Sequence, residues 1–197
     1  MTRESPRWEV FFGGTFDPVH NGHMHIAREV CRLTPYRTVL FVPNRANPLK
    51  DDSPRTSGEH RRGMIQQAIS GLDWCGVSTT ELEREEPSYT VNTIDRLIAE
   101  GVLVSRPGMI IGDDLVEGIP YWHEWERLLQ LVTPILVRRD DGGSPGLFLP
   151  RGTVVVHNEQ VAVSSSEIRE RLNRGDSIRH LVPEAVYAYI EQHRPYS

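Results

Sequence analysis

The chain has 197 residues, with 22 lysines and arginines against 27 aspartates and glutamates, so its formal net charge is −5. This length fits one domain, at 1–197, and the basic residues form no block that would favour nucleic-acid wrapping. The two cysteines lie far apart, which favours reduced thiols in the cytosol. No signal-peptide stretch or membrane-spanning apolar run is present, so we expect a cytoplasmic protein without a membrane partner.

Short runs rich in β-branched and aromatic residues alternate with helical patterns along the chain. The predicted strands are Trp8–Phe12, Thr38–Val42, Gly76–Thr79, Met109–Ile111, Ile135–Val137 and Thr153–Val156. This alternation predicts a doubly wound, Rossmann-like α/β fold, with a mostly parallel sheet and helices on both faces. Such sheets bind ligands beyond the carboxyl ends of their strands, at the point where the strand order reverses.

The stretch GGTFDPVHNGH joins the first predicted strand to a helix and has the outline of a phosphate site. Gly13 and Gly14 let the backbone approach a ligand closely, and a helix start offers unpaired N–H groups to an anion. His20 and His23 stand three apart at that helix start, so both can donate to one anion. Two other interpretations stay open: a glycine turn with two surface histidines, and a zinc site that adds His25.

Three later segments also carry candidate chemistry. In VSSSEIRERL, Ser164 and Glu167 match a capping box, and Arg169 would add a bidentate cation one turn into the helix. In PSYTVNT, Tyr89 and Thr90 begin an apolar helical pattern. In IIGDDLVEGIPYWHEW the indoles stand three residues apart. Ordinary capped helices, and tryptophans that only pack in the core, are the alternatives for all three.

Taken in order, these segments resemble the HxGH nucleotidyltransferase superfamily. The form GGTFDPVHNGH is similar to that of the bacterial nicotinate-nucleotide adenylyltransferases, and VSSSEIR resembles the superfamily's ISSTxIR motif. The PSYT core and the IIGxD and IPYW segments resemble elements of the same adenylyltransferases. Leu49, Glu86 and Asn92 depart from the family pattern.

The resemblance implies transfer of AMP from ATP to nicotinic acid mononucleotide, which forms deamido-NAD and pyrophosphate. His20, His23 and Arg169 would be catalytic. The implied nucleotide-binding residues are Gly13, Gly14, Thr15, Phe16, Gly22, Lys50, Gly112, Asp114, Ser165 and Ser166. Mg²⁺ would bridge the ATP phosphates, held mainly by phosphate oxygens and water, without a protein metal site.

The acceptor would be bound by Tyr89, Thr90 and Trp122. By the resemblance, Trp122 stacks on the pyridine ring. Trp125 continues a helical apolar stripe with Leu128 and Leu129, so we expect it to pack in the core. Helix-start amides at Tyr89 and Thr90 would receive the pyridine carboxylate. Four alternatives stay open: a nicotinamide-specific enzyme, a pantetheine-phosphate adenylyltransferase, a cytidylyltransferase and a non-catalytic nucleotide sensor. A homo-oligomer is also left open.

Two further helices are predicted away from these motifs. Thr56 and Glu59 form a second capping box before HRRGMIQQAI. The segment 175–197 contains Pro183 and the pattern Val186, Tyr189 and Ile190, which predicts a packing helix with no chemistry.

Overall fold

The computed structural model describes residues 7–45, 55–83, 89–139, 150–158 and 163–197, without the side chains at positions 114, 117, 120, 139 and 158. In this part of the chain, six strands form one sheet in the order β3-β2-β1-β4-β5-β6. The strands are β1 (Trp8–Gly14), β2 (Val39–Pro43), β3 (Cys75–Val77), β4 (Leu103–Gly112), β5 (Thr133–Arg139) and β6 (Val154–Asn158). All five neighbouring pairs are parallel, which confirms the predicted fold class.

Helices connect the strands and cover both faces of the sheet. The α-helices of the described ranges are α1 (Asn21–Leu33), α2 (Gly58–Ala68), α3 (Thr90–Ala99), α4 (Trp125–Leu131), α5 (Ser165–Arg174) and α6 (Glu184–His193). A 3-10 helix, Asp113–Tyr121, follows β4 directly. No helix among the described residues is long and apolar enough to cross a membrane.

Two hydrophobic cores lie on opposite faces of the sheet because side chains alternate along each strand. In β1, Val10 and Phe12 pack into the core that contains α1, α2, α5 and α6, which we call the first face. Phe11, between them, packs into the core that contains α3, α4 and the 3-10 helix, which we call the second face. Each helix contributes an apolar stripe to its core; in α1 the stripe is Met24, Ala27 and Val30.

The strand order reverses between β1 and β4, which are neighbours in the sheet. From β1 the chain winds outward through β2 and β3, and from β4 it winds outward through β5 and β6 in the other direction. A crevice therefore opens beyond the carboxyl ends of β1 and β4, at Gly14 and Gly112. The motif after β1 lies at this switch point, as the sequence predicts.

Several predicted boundaries differ from the observed ones. The strand β1 continues through Gly13 and Gly14, which pair with Val42 and Pro43, so the two glycines lie in the strand and not in the turn. The cap of α2 is Ser57, whose hydroxyl accepts a hydrogen bond from the N–H of His60 at 3.2 Å. The predicted cap, Thr56, is one residue too early and is buried instead.

Candidate active site

The turn after β1 is shaped by an aromatic ring that lies inside the core. Phe16 has a left-handed backbone with φ 51°, and its ring is 1% exposed and contacts the rings of Phe12 and Phe41. A Cβ at Gly14 would stand 2.9 Å from the Phe16 ring, so only glycine fits there. The predicted nucleotide contact of Phe16 can come only from its backbone, because the ring is buried.

A buried arginine, which the sequence analysis missed, stabilises this turn through hydrogen bonds to main-chain carbonyls. Arg61 of α2 is 1% exposed, and its Nη1 donates to the carbonyls of Thr15 at 2.8 Å and Asn44 at 2.6 Å. Burial lowers the pKa of Arg61, and the negative charge of Asp17 opposes this shift. One side chain thus ties together the segments that follow β1 and β2. The burial of Arg61 could have been inferred from the sequence, because it stands three residues before Met64 on the apolar side of α2.

The two motif histidines lie together at the start of α1. Their rings stack with centroids 3.7 Å apart and planes 28° apart, and His20 is 6% exposed. The Nδ1 atom of His23 accepts a hydrogen bond from the backbone N–H of His20 at 3.2 Å, so in neutral His23 the proton is on Nε2. Gly22 makes room for the pair, since a Cβ there would stand 3.0 Å from the His20 ring.

Burial controls the charge of both histidines. It lowers the pKa of His20 to about 4. Burial also lowers the pKa of His23 well below its ordinary value, and the neighbouring His20 lowers it further. Both rings are therefore neutral at neutral pH, and each neutral ring carries one N–H donor.

The depressed pKa of His20 predicts a loss of stability in acid. Below about pH 6.5 this histidine is protonated in the unfolded chain, whereas in the folded protein it stays neutral until about pH 4. The free energy of unfolding is therefore at its full value above pH 6.5 and decreases as the pH falls. Between pH 7.5 and pH 5 the loss is about 2 kcal/mol. Since carboxylates also titrate in this range, urea unfolding of the wild type is compared with that of His20→Asn, which retains a helix-capping residue. Equal pH dependence in both proteins would contradict the burial argument.

The start of α5 docks against the histidine motif, which brings two distant sequence segments together. The Ser165 hydroxyl donates to the carbonyl of Pro18 at 2.9 Å. Arg169 donates from Nη1 to the carbonyl of Asp17 at 2.9 Å and from Nη2 to the Ser166 hydroxyl at 3.2 Å. The predicted cap of this helix is confirmed, since the Ser164 hydroxyl accepts from the N–H of Glu167.

These contacts change what Ser165 can offer a ligand. Its hydroxyl proton is used by Pro18, so a hydrogen bond from Ser165 to a phosphate has to come from its backbone N–H. Ser165 and Ser166 are the first two residues of α5, where main-chain N–H groups have no partner within the helix. The first face thus presents imidazoles, a guanidinium and a helix start, which together are suited to a polyphosphate.

The predicted acceptor residues lie on the second face of the sheet. Tyr89 is the cap of α3 and Thr90 is its first residue, as predicted. The Tyr89 ring stacks on His123, with centroids 4.1 Å apart and planes 29° apart. Trp122 and Trp125 are both half-buried beside the second core and contact each other edge to face at 6.1 Å. The choice of Trp122 for the ligand stays a prediction, because both indoles are partly accessible.

The remaining predicted residues fall at different places. Gly112 ends β4 beside the switch point. Lys50 and the side chain of Asp114 lie outside the described residues. The zinc alternative gains no support, since no three His, Cys, Asp or Glu side chains gather as a metal site in the described ranges.

Comparisons with known proteins place the chain among its relatives. The family model described as cytidylyltransferase-like matches residues 11–171. A protein of Geobacillus kaustophilus named "Probable nicotinate-nucleotide adenylyltransferase" is 43% identical, over 92% of this chain and 82% of its own length. A protein of the same name from Pseudomonas paraeruginosa is 37% identical, over 94% of this chain and 95% of its own.

The fold is shared with solved structures at lower sequence identity. Plasmodium falciparum nicotinic acid mononucleotide adenylyltransferase complexed with NaAD superposes with a TM-score of 0.79 at 20% identity, covering 97% of this chain and 98% of that one. The similarity to the bacterial relatives extends over more than nine-tenths of the chain, and the match to the family model begins before the histidine motif and reaches residue 171, within α5. The resemblance predicted from the motifs is therefore confirmed, and the chain belongs to the nicotinate-nucleotide adenylyltransferases of the cytidylyltransferase-like family.

Proposed function

We propose that the protein transfers AMP from ATP to the 5′-phosphate of nicotinic acid mononucleotide, forming deamido-NAD and pyrophosphate. The observation that carries the proposal is the convergence of two neutral imidazoles, a helix start and the Arg169 guanidinium at the switch point. The names of the bacterial relatives support this choice of acceptor. ATP and the mononucleotide would be its ligands in the cytoplasm, without nucleic acid or membrane, and a homo-oligomer is left open.

The proposed reaction requires positioning and charge stabilisation more than a protein nucleophile. The attacking phosphate of the mononucleotide is already an anion near neutral pH. The site has to bring two anions into line and stabilise the charge that develops on the α-phosphoryl group and on the leaving pyrophosphate. Fixed N–H donors do this without any reorganisation during the reaction.

We propose a donor for each part of the triphosphate. His20 and His23 would donate to α- and β-phosphate oxygens, His23 through Nε2 because its Nδ1 is used by the main chain of His20. Arg169 and the N–H groups of Ser165 and Ser166 would hold the β/γ end. Gly13 and Gly14 would let the end of β1 approach the nucleotide.

Magnesium is proposed to enter with ATP. The described residues form no cluster of three metal-binding side chains, and the carboxylate of Asp17 is 1% exposed and accepts hydrogen bonds on both oxygens. Within the described part of the chain, the donor set therefore does not fit a metal cage made of protein side chains alone. A Mg²⁺ ion bound to phosphate oxygens and water would neutralise part of the triphosphate charge.

The acceptor would bind across the crevice on the second face. The N–H groups at the start of α3, beside Tyr89 and Thr90, suit a carboxylate, and the indole of Trp122 suits the flat pyridine ring. The acid then gains a charge-assisted hydrogen bond that the amide lacks. This arrangement predicts a preference for nicotinic acid mononucleotide.

The test is pyrophosphate release from ATP and Mg²⁺ with nicotinic acid mononucleotide, nicotinamide mononucleotide or phosphopantetheine as acceptor. Charge-assisted bonds of about 1.5–3 kcal/mol predict at least a tenfold higher kcat/KM for the acid than for the amide. No release is expected with phosphopantetheine or without an acceptor. Equal use of acid and amide would overturn the carboxylate assignment. ATP binding without release from any acceptor would indicate a nucleotide sensor.

A further inference from the structure

The C-terminal tail reaches back to the middle of the histidine motif. The hydroxyl of Tyr196, the penultimate residue, donates to Oδ1 of Asp17 at 2.8 Å. The other carboxylate oxygen, Oδ2, accepts from the N–H of Arg55 at 2.6 Å. Asp17 is 1% exposed, so these partners replace water for a buried carboxylate. Burial, together with the charge of Asp17, raises the pKa of Tyr196, which keeps the hydroxyl a donor.

The main chain of Asp17 and Pro18 also accepts hydrogen bonds from side chains of α5. The carbonyl of Asp17 accepts from Arg169, and the carbonyl of Pro18 accepts from the Ser165 hydroxyl. Asp17 thus holds the tail with its side chain and the phosphate-binding guanidinium with its backbone. A displacement of this dipeptide would move Arg169 relative to His20.

The segment before α6 contacts the same motif at its other end. The N–H of Asn21, the first residue of α1, donates to the carbonyl of Leu181 at 3.0 Å, and its side chain donates to the carbonyl of His180 at 3.1 Å. The C-terminal segment therefore contacts the motif on both sides of His20. Between these contacts, α6 packs into the first core through Val186 and Ile190.

We propose that Tyr196 is a positioning residue for adenylyl transfer: its hydrogen bond to Asp17 holds the Asp17–Pro18 backbone where it receives Arg169 and Ser165. This inference rests on the proposed function. It gives the C-terminal tail a role in the reaction that packing alone would not. The tail touches neither the triphosphate nor the acceptor in this scheme, because the Tyr196 hydroxyl is directed at a buried carboxylate.

The test is the substitution Tyr196→Phe, which removes one hydroxyl and retains the ring that packs against the first core. Because a displacement of about 1 Å can lower a rate by about 100-fold, we expect kcat/KM for ATP to fall at least tenfold. The KM for the mononucleotide should stay within about twofold, since the acceptor lies on the other face. Tyr187→Phe, in α6 with Arg179 over its ring, is the control and should leave all constants unchanged.

A second variant distinguishes a loss of positioning from a loss of folding. In Tyr196→Phe/Asp17→Asn the carboxylate that loses the Tyr196 hydroxyl is replaced by a neutral amide, yet the tether is not restored. Buried Arg61 loses the nearby charge of Asp17 in this variant but keeps its hydrogen bonds to the carbonyls of Thr15 and Asn44. Kinetics are measured well below each variant's Tm, together with the Kd for ATP by calorimetry, which we expect to rise at least tenfold. Folded variants with wild-type kcat/KM and wild-type Kd would overturn the proposal. Loss of the fold in both variants would also overturn it, because Tyr196 would then act in stability alone.

A different result would contradict the proposed function. If the wild type releases no pyrophosphate with any acceptor, adenylyl transfer is wrong. The Kd values of the wild type and the variants for ATP then still test whether Tyr196 holds Arg169 in place. Wild-type release combined with unaltered variants contradicts only the role of Tyr196.

Discussion

Replacing His23 by alanine keeps the fold and lowers the turnover number by at least about 100-fold, the scale for removing one preorganised donor. The ring of His23 stacks on His20 and touches the ring of Phe16 edge on, so its loss opens space but leaves no buried charge, because both histidines are neutral. Steady-state pyrophosphate release and circular dichroism measure the two parts of this expectation.

The matched control for His23→Ala is His25→Ala, two residues further along the same helix. His25 has no place in the proposed phosphate site, so its variant should retain turnover close to that of the wild type. A His23→Ala enzyme with near wild-type turnover would remove His23 from the catalytic residues. Equal losses in both variants would point to a general effect on α1.

Replacing Arg169 by lysine lowers both ATP affinity and kcat/KM by at least about tenfold, even though the charge is retained. The guanidinium donates in two directions, to the Asp17 carbonyl and to the Ser166 hydroxyl. A single ammonium cannot reproduce this fork and also present a flat face of donors to a phosphate. Calorimetric titration with ATP and steady-state kinetics measure the effect.

The control for Arg169→Lys is Arg171→Lys on the same helix. Arg171 forms an ion pair with Glu167 at 3.0 Å on the surface, where lysine is an adequate replacement. We expect wild-type affinity and rate from this control. An Arg169→Lys enzyme with unchanged ATP affinity and rate would contradict the assignment of Arg169 to the triphosphate.

Local patterns in the sequence were sufficient to predict the fold. Alternating β-branched runs and helical periodicity predicted the parallel sheet, because both signals depend on neighbours a few residues apart. The boundaries were less accurate: β4 runs from Leu103 to Gly112, although only 109–111 was predicted. Its first half contains Ser105, Arg106 and Pro107, which weaken the strand pattern.

The polar contacts beneath the motif could not be predicted from the sequence. Asp17 and Tyr196 are 179 positions apart, and no periodicity connects them. Arg61 resembles a surface arginine in an HRR triplet, yet it is buried because the turn after β1 supplies carbonyl acceptors for it. Such pairs become visible only when the chain has folded and burial selects which polar groups must meet.

The division of the proposed site between two faces of the sheet has an evolutionary consequence. The groups suited to the triphosphate are supported by the first core, and those suited to the acceptor by the second. The two cores share only the sheet between them, so substitutions around Tyr89 or Trp122 can accumulate without repacking the residues beneath His20. Selection can therefore exchange one acceptor for another on an unchanged phosphate scaffold, and a designer can attempt the same by altering α3 and the 3-10 helix alone.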